Sequence, residues 1–87
     1  MGRASQKRPK RLAEKLLAVR NSMNLSQNEL IDWLDSKGEL TQAEISAFER
    51  DVRIPSLLVL LRYARKAKIN LEILIDDNLD IRDKHKS

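Results

Sequence analysis

Apolar residues recur along most of this chain at intervals of three and four, the spacing that puts them on one side of a helix. Leu12, Leu16, Val19 and Met23 define a first helix over 9–23, with Pro9 suited to its first turn, where a missing N–H does no harm. Ser26-Gln27-Asn28-Glu29 is a capping box, and Leu25 before it can staple onto Leu30. A second helix therefore begins at Gln27, turns Leu30, Ile31 and Leu34 inward, and ends by Gly38, a residue at ease in the left-handed conformation beyond helix ends. Thr41-Gln42-Ala43-Glu44 is a second capping box, with Leu40 and Ile45 as its staple, and predicts a third helix over 42–50 with Ile45 and Phe48 inward. Pro55 interrupts the pattern and Ser56 caps a fourth helix over 57–68, whose expected buried stripe is Leu57, Leu60, Leu61 and Ala64. Asn70 heads a short fifth helix over 71–75. No segment alternates with a period of two, so the expected fold class is all-α, a compact domain of five helices over 9–76. Residues 1–8 read as a flexible basic arm and 77–87 as a fraying tail.

Composition narrows the chemistry. Eighty-seven residues make one domain. Cysteine is absent, which removes disulfides and thiolate metal sites, and the single histidine, His85, stands in a charged terminus far from any second ligand. No metal or cofactor is expected. No apolar run approaches the ~18 residues of a membrane span, and no apolar stretch follows the basic start as it would in a signal peptide. The expectation is a soluble, cytoplasmic protein.

Charge is unevenly placed. The net charge is +4, and Arg3, Lys7, Arg8, Lys10 and Arg11 lie in the first eleven residues without an acid among them. The remainder holds 12 basic against 13 acidic residues, so the whole excess sits at one end. Lys7, Arg8, Lys10 and Arg11 are thus candidates for an arm that tracks phosphates, and a plain solubilising flank is the other reading.

The third helix is the specific feature. Gln42, Ala43, Glu44 and Ser46 lie off its apolar face, where, Glu44 apart, small and amide-bearing residues replace the usual Lys and Glu of a solvated surface. An amide can bond adenine through N6 and N7 together, and an alanine methyl can pack on that of thymine. Glu44 doubles as the capping residue three positions after Thr41.

From Leu25 onward the chain resembles the phage repressor and Cro type of helix-turn-helix regulator, the Xre type. The resemblance rests on Leu25-Ser26-Gln27, Glu29-Leu30, Leu40-Thr41-Gln42, Ile45-Ser46, Phe48-Glu49-Arg50 and Pro55-Ser56-Leu57, followed by Leu60-Leu61, Ala64, Ile69, Leu71 and Leu74. It implies a repressor-like helix-turn-helix fold that lays the third helix in the major groove of double-stranded DNA. It also implies that Gln27 touches a phosphate and braces Gln42, that Gln42 reads a base, and that Ala43, Glu44 and Ser46 supply the remaining base contacts. Arg50 and Arg53 would reach phosphates, and Arg20 and Glu49 would form a structural ion pair.

The chain departs from that pattern in several places. Leu34 and Thr41 are seven positions apart where about three are usual, and the added residues either extend the second helix by one turn of ~3.6 residues or form a looser loop. Asp51 stands where glycine is usual. Leu58, Val59 and Ile73 are apolar where the family is generally polar, as is Ile54 in the loop before the fourth helix. This points to a covered surface, and the expectation is a homodimer through helices 4 and 5 that spaces two reading helices one DNA turn apart on a palindromic site. The leading expectation is a transcriptional repressor, nucleoid-associated through its DNA. The alternative is an antitoxin or other interaction module of the same fold with a protein partner. No nucleophile set, phosphate loop or ligand cluster suggests an enzyme.

Overall fold

The computed structural model describes residues 9–81, and Lys7, Arg8 and the rest of the arm lie outside them. Five helices and no strand form among the described residues: α1 (Leu12–Ser22), α2 (Gln27–Trp33), α3 (Gln42–Glu49), α4 (Leu57–Ala67) and α5 (Leu71–Ile75). The starts of the three middle helices follow directly from their caps. Ser26 accepts from the Glu29 amide and Thr41 from the Glu44 amide, each glutamate returning a bond to the cap residue's own N–H, and Ser56 accepts from the Val59 amide. Asn70 occupies the cap position of α5 but makes no side-chain capping bond.

The helix ends share one device. Asn24, Asp35, Asp51 and Lys68 take positive φ near 60° just beyond α1 to α4. In each case the next amide reaches back across the last turn: Leu25 to Arg20, Ser36 to Ile31, Val52 to Ala47 and Ile69 to Ala64. These are Schellman closures built without glycine. Gly38, expected to end the second helix, lies instead in the loop beyond it at φ +85.

The expected extra turn of α2 does not form. The helix stops at Trp33, and residues 35–40 make a loop in which the Glu39 and Leu40 amides both bond to the Ser36 carbonyl. The loop is far from slack. Ser36 is fully buried, and its hydroxyl accepts from Arg62 of α4 at 2.6 Å. Arg62 also pairs with Glu39 at 3.0 Å, and Lys66 pairs with Asp35 at 3.0 Å. Three loop residues are thereby fastened to one face of α4, which fixes where α3 begins.

The core joins Leu12, Leu16 and Val19 of α1, Leu30 and Ile31 of α2 with Leu34 beyond its end, Ile45 and Phe48 of α3, and Leu60, Tyr63, Ala64 and Ala67 of α4. Ile69, Ile73 and Leu74 complete it, while Leu25, Trp33 and Leu40 pack against its edge. The buried stripe of α4 is shifted from the expected one. Leu57 is 66% exposed and Leu61 only half-buried, because Tyr63 and Ala67 take the inward positions. Ile73 is core at 7% exposure and Val59 leans on the core, so of the three residues expected to cover a dimer interface only Leu58, 67% exposed, faces outward.

Residues 77–81, the start of the expected fraying tail, are packed, and the rest of that tail, 82–87, lies outside the described residues. Leu79 and Ile81 lie against the core, and the Asp77 carboxylate accepts from the backbone amides of Lys10 and Arg11 at 2.9 and 3.0 Å. Asp77 thus caps α1 from the far end of the sequence. The cap explains why α1 starts at Leu12 with Arg11 at its N-cap and Pro9 two residues before it, where the spacing predicted a start at Pro9. Arg11 closes the same junction, donating to the Asp77 and Leu79 carbonyls and pairing with Asp80 and Glu14. Its side chain, expected on phosphates, is held at this junction. Lys15 is buried, and its ammonium donates to the Ile73 and Asp76 carbonyls at 2.8 Å, satisfying the end of α5. Burial, followed by the nearby Arg11 charge, holds Lys15 below the usual lysine range.

The amides of Lys10 and Arg11 hold Asp77 below the usual carboxylate range. Its contribution to stability is therefore present above the ordinary pKa of about 3.9 and is lost as pH falls through the lower folded value. Asp77→Ala should lower the thermal midpoint at neutral pH, and the difference from the parent should close only in more acidic solution than that ordinary value.

Tyr63 is the chain's only tyrosine, fully buried, with a hydroxyl that finds no hydrogen-bond partner among the described residues. Burial first, and the Glu49 charge second, push it well above its usual range, against a smaller opposing effect of Arg20. Because burial penalises the ionised form, stability does not vary with this group's titration below its ordinary pKa of about 10 and falls as pH rises further. Tyrosinate absorbance should accordingly appear together with the loss of helical circular dichroism in an alkaline titration. Tyr63→Phe, which removes an unsatisfied buried group, should stabilise the domain by about 1 kcal/mol at neutral pH in chemical denaturation.

Candidate nucleic-acid interface

Each capping box satisfies free amides at its helix start with nearby side-chain atoms, leaving the residue that follows the cap to face outward. Those residues are Gln27 in α2 and Gln42 in α3, and the fold brings them together. The Gln42 Nε2 donates to Gln27 Oε1 at 3.2 Å, and Gln27 Nε2 donates to Glu49 Oε1 at 3.1 Å. Glu49 is in turn forked onto Arg20, with Nε–Oε2 at 2.8 Å and Nη2–Oε1 at 2.9 Å. The remaining Arg20 nitrogen, Nη1, donates to the Leu25 carbonyl at 2.8 Å, just ahead of the Ser26 cap. A continuous chain of hydrogen bonds thus runs from α1 through the far end of α3 to the starts of α2 and α3.

Exposure along this chain is graded. The Glu49 side chain is 5% exposed and that of Arg20 17%, Gln27 is half-buried and Gln42 is exposed. The hydrogen bond to Glu49, against the opposing effect of burial, raises the Arg20 guanidinium above its already high value. The sequence-expected ion pair is therefore present as a bidentate, charge-assisted contact. The brace between Gln27 and Gln42 forms despite the lengthened connection, because the loop clamp onto α4 takes up the added residues away from the two helix starts.

The other expected site residues divide. Ala43 is exposed beside Gln42. The Glu44 carboxylate turns back onto Thr41, accepting from its amide at 3.0 Å, and lies 3.7 Å from Arg53. That leaves Glu44 as a cap whose charge is partly countered. Arg50 donates through Nε to the Ser46 hydroxyl at 3.0 Å, one turn earlier on α3, so these two share one contact on its flank. Arg53 is mostly exposed beyond the end of α3, while Lys10 is exposed at the start of α1. Between the starts of α2 and α3 lies an open groove of about 480 Å³ lined by Asn28, Asp32, Lys37, Gly38 and Gln42 among others. Lys37, exposed in the loop, is a cation lining the same groove as Gln42 that pattern reading did not single out. Nothing in its local sequence marks it, since its position depends on the clamp at Ser36.

Chemically this surface offers an amide edge, a methyl and a rim of cations, all on or next to one short helix. It can make paired donor–acceptor contacts and apolar contacts to a flat polar partner. No helix among the described residues is long and apolar enough to cross a membrane. The chain matches no family model, and no curated protein or solved structure matches it either.

Proposed function

We infer that this protein is a sequence-specific regulator of transcription with a repressor-like helix-turn-helix fold, reading the major groove of double-stranded DNA through α3. The observation that carries the reading is the hydrogen-bonded brace from Gln42 through Gln27 to Glu49. It immobilises an exposed amide at the first position of a helix whose neighbouring outward residue is Ala43. A base reader has to be held still to discriminate, and a long charged side chain at Ala43 would keep the helix out of the groove. Gln27, Arg50, Arg53, Lys10 and, on the loop, Lys37 would meet phosphates, which position the protein without reading sequence. Lys7 and Arg8 would extend that contact from the arm. Glu44 serves as cap in this reading, and Ser46 reaches a base only if Arg50 releases it.

Selection from random duplexes followed by gel shift tests this directly. One sequence class should be enriched, with affinity falling as salt rises at a slope near −0.9 per phosphate neutralised. Gln42→Ala should cost about 1–3 kcal/mol on the selected site and relax preference at one base pair. Enrichment of no sequence would sink the regulator reading.

The working state we infer is a two-fold dimer on a palindromic site, acting as a repressor in the nucleoid. Its covered surface is relocated from Leu58, Val59 and Ile73 to the exposed apolar group Val52, Ile54, Leu57 and Leu58, which follows directly on α3. Contiguous exposed apolar residues favour association, and this position suits two reading helices set about 34 Å apart. The same group also fits the second reading, an antitoxin or other interaction module in which a different protein covers it, and the nearly neutral body favours that variant. Leu57→Asp with Leu58→Asp should leave the helical content intact, convert a dimer to a monomer in sedimentation, and weaken binding to a full palindrome far more than to a half-site. A parent that sediments as a monomer at tens of micromolar, with and without DNA, removes the dimer and leaves the second reading.

A further inference from the structure

We propose that Glu49, which touches no DNA in this reading, sets which base Gln42 accepts by fixing the donor–acceptor direction of the two amides between them. The inference rests on α3 being the reading helix and adds a specificity-determining residue to it.

A side-chain amide has an oxygen that accepts and a nitrogen that donates two hydrogens, and a half-turn about its last bond exchanges them. On its own, such a group presents either order to a partner. Glu49 removes that freedom. Both its oxygens receive hydrogens from Arg20, so it acts only as an acceptor toward its neighbours. Gln27 must then turn its nitrogen toward Glu49, as it does at 3.1 Å, which turns its oxygen toward Gln42. Gln42 must answer with its nitrogen, as it does at 3.2 Å.

Each step leaves one arrangement satisfied and the reverse with two like groups facing one another. What remains of Gln42 is its oxygen and the second hydrogen on its nitrogen. An acceptor beside a donor in that order is the complement of the adenine N6 donor and N7 acceptor. Both glutamines belong to short helices whose starts are locked by capping boxes, so the backbone adds no slack to the relay.

Glu49 acts through Gln27 and is a positioning residue. Its two roles are separable, because Gln27→Met cuts the relay while leaving the Arg20–Glu49 fork in place. Side-chain amide ¹⁵N relaxation on the free full chain gives the first readout. The Gln42 amide should be ordered in the parent and released in Gln27→Met and in Glu49→Gln. Binding to the selected site, permuted at each base pair, gives the second. Discrimination at the Gln42 pair, on the order of 10- to 100-fold for a bidentate amide–adenine contact, should fall to within about threefold in both variants, with preference elsewhere unchanged.

The exchange Gln27→Glu with Glu49→Gln places an acceptor-only group directly on Gln42, and it should restore the lost preference while lowering affinity for all sequences through its charge. If Glu49→Gln fails to fold, Gln27→Met alone decides. Wild-type amide order and wild-type preference in Gln27→Met overturn the proposal and leave DNA reading standing. An unchanged base preference in Gln42→Ala overturns the DNA reading itself, and the proposal with it.

Discussion

The fork between Arg20 and Glu49 is the contact on which the arrangement of the first three helices depends. It ties the last turn of α1 to the last turn of α3, and the same two residues hold the Leu25 carbonyl and the Gln27 amide. The end of α1, the turn after it, the start of α2 and the end of α3 thus converge on one guanidinium and one carboxylate. Its net worth against an apolar pair of the same shape is small, since withdrawing both charges from water opposes their attraction. Breaking it from one side is another matter, at up to about 3–5 kcal/mol, because the surviving charge is left largely withdrawn from water. The pair therefore serves arrangement more than stability. Apolar residues of α1, α2 and α3 would bury well at more than one mutual rotation, whereas the fork and its attached amides are satisfied in one.

The same logic governs the lengthened connection between α2 and α3. A loop of this length is expected to add conformational freedom, which would blur the placement of Gln42. Here Ser36 is buried with its hydroxyl bonded to Arg62, and flanking ion pairs hold Asp35 and Glu39 to α4. The exposed pairs contribute little each, but the buried hydroxyl has no alternative partner in water and enforces the geometry. The chain accepts local backbone cost to make such closures. Four non-glycine residues sit in the left-handed region, at roughly 1–2 kcal/mol each relative to the right-handed one. Asn and Asp, which tolerate it best, fill three of those positions.

At the start of α1, Asp77, Arg11 and Lys15 perform for α1 and α5 what local caps perform for the middle helices. The first turn of α1 makes no side-chain capping bond at Arg11, and the carbonyls of Ile73 and Asp76 at the end of α5 accept from outside their own element. Each end supplies the other's missing group: a carboxylate for free amides and an ammonium for free carbonyls. This reciprocity makes 77–81 part of the domain and draws Arg11 away from the basic arm to which its sequence position assigns it.

What the sequence determined by itself was whatever short-range physics controls. The helix starts at Gln27, Gln42 and Leu57 were legible because their caps act over three residues, and the apolar spacing marked the core positions of α1, α2 and α3 but missed Tyr63 and Ala67 on α4. Pairing of Arg20 with Glu49 and of Gln27 with Gln42 could be expected only through likeness to a family pattern, since neither pair is close in sequence. The tertiary structure alone decided the end of α2 at Trp33, the burial of Ile73 and exposure of Leu57, the cap from Asp77, and the bond from Gln27 to Glu49. The physical reason is common to all four. Periodicity says that a face is buried but not how wide it is, and a polar side chain's spacing does not say which remote donor or acceptor it will meet. Those outcomes depend on how the helices are rotated against one another, and that rotation is set by contacts such as the Arg20–Glu49 fork that exist only once the chain has folded.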